Sequence, residues 1–92
     1  MDKANWYKIE TAKEKDGTYH YIGSSDLTLD EIVSQIRAEN FIRLDNLLYM
    51  DRGEIKEWAA WDKTLHPSVR IQPGIILSVM QFKADPRTLP RA

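Results

Sequence analysis

The segment LTLDEIVSQIRAENF, residues 27–41, specifies a helix at its start, along its face and at its stop, and the rest of the chain has to fold around it. Thr28 and Glu31 stand at capping-box spacing, so each side chain can satisfy a backbone N–H at the helix start. Leu27 and Ile32 occupy the positions of a hydrophobic staple. Asp30 and Glu31 fall in the first turn, where the helix dipole favours negative charge. Leu29, Ile32, Val33 and Ile36 recur at i, i+3, i+4 and i+7, which makes one apolar stripe. Ser34, Gln35, Arg37 and Glu39 take the other side. Asn40 is expected to adopt the left-handed stop conformation, with Phe41 folding back on Ile36. The predicted helix runs from about Leu29 to Ala38.

The flanking segments read as strands. Trp6–Glu10 and Thr18–Ile22 are rich in aromatic and β-branched residues, and Asp16-Gly17 between them supplies a tight turn, which predicts a hairpin. In FIRLDNLLYM, residues 41–50, Ile42 and Leu44 share one face while Phe41, Arg43 and Asp45 share the other. The apolar parity then shifts, which predicts a bulge or bend at Asp45-Asn46. Asp51-Arg52-Gly53 reads as a three-residue hairpin loop with glycine at the left-handed position. Val69 and Ile71 alternate with Arg70. Pro73-Gly74 suits a corner between strands rather than a flat hairpin, because proline favours turn types whose twist does not match a hairpin. Ile75–Phe82 is apolar on both faces, as a central strand would be. Two prolines follow Lys83, so residues 85–92 read as a tail on a single globular domain of residues 1–84. Together these elements predict an α+β fold: a small bent antiparallel sheet or partly open barrel of five to six strands, with one helix packed across it.

GEIKEWAAWD, residues 53–62, holds two of the three tryptophans. In a helix, Trp58 and Trp61 would share a face with Ile55 and join the core. In a strand, they would point to opposite sides. The turn chemistry at Asp51-Arg52-Gly53 favours a strand. Trp58 and Trp61, beside Arg52 and Lys56, are the first candidates for partner binding, since tryptophan and arginine are enriched among residues that dominate binding energy. Burial of both rings in the core is the competing structural explanation.

Charge and composition narrow the chemistry. Net charge is −1 over 92 residues. Residues 1–42 carry five Lys/Arg against eight Asp/Glu, and residues 43–92 carry eight against six, so the halves differ by sign but neither is strongly basic. A second candidate surface, for single-stranded nucleic acid, would combine Trp6, Lys8, Tyr19 and Tyr21 with Arg43 and Arg70. Packing of those aromatics across strands is the alternative explanation. With no cysteine and with His20 and His66 in separate segments, no metal or cofactor site is expected. No serine lies in a nucleophile elbow, the four glycines form no phosphate loop, and Asp62 alone is not a mechanism, so no catalytic residues are assigned and the chain is not expected to be an enzyme. No apolar run approaches the roughly 20 residues of a membrane span, and no apolar stretch follows a basic start. A cytoplasmic protein without membrane contact is expected.

From these features the chain reads as a non-catalytic protein-interaction or assembly module, acting on a protein partner or on itself. Single-stranded nucleic-acid binding by a small β-barrel is the alternative, and a small-molecule pocket at the open end of the sheet comes third.

Overall fold

A computed structural model describes residues 4–13, 15, 17–58, 64 and 67–89. The helix α1 spans Leu29–Arg37 and is capped as its sequence predicts: the Glu31 N–H donates to Thr28 Oγ1 at 3.2 Å, and the Thr28 N–H donates to Glu31 Oε1 at 2.9 Å. Its stripe faces the core, where Ile32 is fully buried and Leu29 and Ile36 pack beside it. Burying one such side chain contributes about 2–3 kcal/mol. The stop differs from expectation by one residue. Glu39, not Asn40, takes the positive φ, at 62°. The Glu39 N–H then donates to the Ile36 carbonyl and the Asn40 N–H to the Gln35 carbonyl. This is the paired bonding of a Schellman motif, with Asn40 Nδ2 bonded to Gln35 Oε1 where an apolar contact is usual. Phe41 does not tuck into the core but stands 60% exposed.

Six antiparallel strands surround this helix. They are β1 (Asn5–Lys13), β2 (Gly17–Ser25), β3 (Ile42–Asp51), β4 (Glu54–Glu57), β5 (Val69–Ile71) and β6 (Ile76–Gln81). The sheet runs in the order β4-β3-β2-β1-β6, with β5 paired to the first part of β3. The β1–β2 hairpin is present, but Gly17 is already strand, paired with Lys13, and Lys15 has a left-handed φ of 61°. Asp51 pairs directly with Glu54, so the second hairpin turn has two residues rather than three. Arg52 and Gly53 both have positive φ, the signature of a type I′ turn, whose twist matches the flanking strands.

The parity shift in β3 is a bulge. β2 meets β3 at Ile22–Leu48 and Ser24–Asp45, so β3 has one more residue than β2 between these pairs. Asn46 absorbs the bend with φ 51° and donates through Nδ2 to Ser24 Oγ at 2.9 Å. Pro73-Gly74 makes the expected corner, as a single 3₁₀ turn over Pro73–Ile75 that carries the chain from β5 to β6.

The expectation of a central last strand is overturned. β6 pairs only with β1 and forms one edge of the sheet. Its apolar residues fall on both faces because it carries a bulge: Thr11 faces Ile76 and Glu10 faces Ser78, so Leu77 is an extra residue. Ile76 and Val79 both reach the core while Leu77 is 57% exposed.

The core has two parts. Tyr7, Ile9, Ile32, Ile42, Leu44 and Ile71 pack between the sheet and α1, and Trp6, Ile22 and Leu48 form a smaller cluster with Ile55 and Phe82. Residues 85–89 lie beside the smaller cluster. Arg87 places its guanidinium 5.2 Å from the Trp6 ring centroid and donates to Glu57 Oε1 at 2.7 Å. Pro86 is buried.

Candidate functional site

The two edges of the sheet are built differently. β4, at one edge, reads Glu-Ile-Lys-Glu, with charge at three of its four positions. Such charges discourage another strand from pairing. β6, at the other edge, reads Ile-Leu-Ser-Val-Met-Gln and carries no charge and no proline. Leu77 and Met80 are 57% and 51% exposed there. Among the described residues, no strand pairs with the far side of β6.

The residues singled out for partner binding gather at the guarded edge. Of residues 54–61, for which strand and helix were both possible, Glu54–Glu57 form the strand β4, and residues 59–61 lie outside the described residues. Lys56 Nζ is bonded to Asp51 Oδ2 at 2.9 Å, and Arg52 occupies the turn. Trp58 is half-buried, and its ring lies 4.9 Å from that of Tyr49. Trp61 lies outside the described residues.

The residues proposed for nucleic acid fall into three places. Trp6 is buried beneath Arg87. Lys8 pairs with Ile22 and lines a cleft with Tyr19, His20 and Tyr49, while Tyr21 packs toward the larger core cluster, 4.7 Å from Tyr19 in edge-to-face contact. Arg43 and Arg70 are directly opposed across β3 and β5.

That arginine pair belongs to a compact polar cluster. Arg43 Nε donates to Asp45 Oδ1 at 2.8 Å, and Ser68 Oγ donates to the same oxygen at 2.7 Å. Arg43, Ser68, Val69 and Arg70 line a shallow cleft of about 260 Å³. Burial pushes the Asp45 carboxyl up, but the Ser68 and Arg43 hydrogen bonds and the charges of Arg43 and Arg70 outweigh it and hold the carboxyl below its ordinary value. Phe41 stands on the same outward face of the chain as Arg43, two residues before it. No family model matches this sequence, and no curated protein or solved structure matches it either.

Among the described residues, no group of three or more His, Cys, Asp or Glu side chains could hold a metal ion, and no helix is long and apolar enough to cross a membrane. Sequence reasoning missed Leu77 and Met80 because a strand with two apolar faces resembles a central one. It also missed Phe41, because the alternation of Phe41 with Ile42 competes with a fold-back onto Ile36. Asp45 and Ser68 had no local signal, since only the fold brings them together.

Proposed function

We propose that this chain is a protein-interaction or assembly module that pairs through the free edge of β6. The observation that carries this reading is the contrast between the edges, one guarded by Glu54, Lys56 and Glu57 and the other uncharged, with Leu77 and Met80 exposed. An unpaired edge offers a row of backbone N–H and C=O groups to an added strand, and natural folds ordinarily block it with charge, proline or a covering segment. β6 has no charge or proline of its own. The Trp58 region is then a structural end to the sheet, with the Tyr49–Trp58 ring contact closing it. The protein works without catalysis, in the cytoplasm.

Self-pairing of β6 is the simplest form of this activity, because an antiparallel pair about a two-fold axis presents the same edge from both copies. Light scattering across a concentration series should show association in the wild-type chain. Met80→Lys should abolish it, and Glu54→Lys, at the other edge, should leave it intact. Amide exchange along Ile76–Gln81 should slow on association. A chain that remains monomeric at high concentration, with those amides already protected throughout, would refute the reading.

A further inference from the structure

We infer that the cleft between Arg43 and Arg70 is a docking site for a carboxylate side chain of a partner protein, flanked by an apolar residue that rests on Phe41. The inference rests on the reading of the chain as a protein-binding module, but not on the β6 edge.

Two arginines directly opposed across a strand pair repel each other. One carboxylate, Asp45, is bonded to Arg43, and the same oxygen is shared with the Ser68 hydroxyl. Arg43 uses Nε on Asp45, which leaves its terminal nitrogens for a second acceptor. Among the described residues, no carboxylate lies within ion-pair distance of Arg70. The cluster therefore has one cation in surplus, in a fork geometry that suits the two oxygens of a carboxylate.

The surroundings select the kind of anion. Phe41, 60% exposed, borders a cleft it shares with Arg43, Asp45 and Asp26, and another it shares with Glu39 and Gln72. Asp26 and Glu39 each line one of the two clefts that Phe41 borders, and they would repel the repeated phosphates of a nucleic-acid strand. A single negative charge beside an apolar group satisfies the surplus cation and covers the ring while bringing only one charge near those acids.

The test uses the full chain and an acetylated, amidated tripeptide Leu-Glu-Leu, followed through the side-chain Nε–H signals of Arg43 and Arg70 by NMR. Both signals should move saturably. The tripeptide Leu-Gln-Leu should leave them in place. Arg70→Gln should weaken binding by about tenfold or more, the loss of a charge-assisted pair, with Arg70→Lys in between. Asp45→Asn should strengthen it several-fold, because Arg43 is then released to the ligand. Met80→Lys, which removes the β6 edge, should bind the tripeptide as the wild type does, so failure of the edge and failure of this site are distinguishable. Equal response to the Glu and Gln peptides, weaker binding by Asp45→Asn, or tighter binding of inorganic phosphate or a thymidine oligonucleotide than of the Glu peptide would each overturn the inference.

Discussion

The Tyr7 hydroxyl donates to the Leu27 carbonyl at 2.6 Å, tying the second core strand position to the residue before the helix cap. Tyr7 is fully buried. Burial, and then the charge of Glu31, pushes its phenol above the usual range, so it remains a donor. Asn5 Nδ2 donates to the same carbonyl at 3.0 Å. Two residues of β1 thus fix where α1 begins. Tyr7→Phe keeps the ring and removes one of two bonds to that oxygen. Its cost should be about 1 kcal/mol in urea unfolding, with a larger loss when Asn5→Ala is added than either change gives alone. An unchanged midpoint for the double variant would show that this carbonyl does not hold the helix in place.

Gly23 sits against the bulge in β3. A Cβ at that position would stand 2.8 Å from the Asp45 carbonyl oxygen, 3.0 Å from Leu44 Cβ and 3.1 Å from Leu47 Cδ2. The carbonyl is backbone, held by the bulge, and cannot swing aside. Gly23→Ala should therefore destabilise by about 2–3 kcal/mol, the usual range for an overpacked site. Gly74→Ala is the control. No atom lies within 4 Å of its added Cβ, and its φ is not positive, so it should be neutral or slightly stabilising in the same thermal melt.

Glu39 breaks two local rules at the end of α1. Its φ is 62°, where side chains are strained, and it places a negative charge at the helix terminus that favours positive charge. Glu39→Gly should stabilise the fold by about 1 kcal/mol, measured as a higher denaturation midpoint with an unchanged slope. A loss of stability would mean that the Glu39 side chain makes a contribution larger than its strain.

The sequence by itself determined the elements whose cause is local. The capping box at Thr28 and Glu31, the apolar stripe through Ile32, the bend after Asp45 and the Pro73-Gly74 corner each follow from a few neighbouring residues, and the α+β class follows from their sum. Local chemistry was less decisive where two adjacent residues compete for one backbone role. Asn40 is the better left-handed residue in isolation, yet the bonds to Gln35 and Ile36 put Glu39 there.

Strand order was not legible, because hydrogen bonding between strands depends on residues far apart in the chain. Whether Ile76–Gln81 is central or an edge is settled by its pairing with Asn5–Lys13, nearly the whole chain away, and its two apolar faces come from a bulge that exists only against Thr11. The same holds for the arginine cluster. Arg43 and Arg70 could be named from the sequence as cations, but the register of β5 on β3 set them side by side and brought Ser68 to Asp45. Periodicity and capping act over one or two helical turns, and they fixed the parts. Burial of one shared core fixed which parts are neighbours, and with that the uncharged edge at Ile76–Gln81 and the cleft beside Arg43 and Arg70.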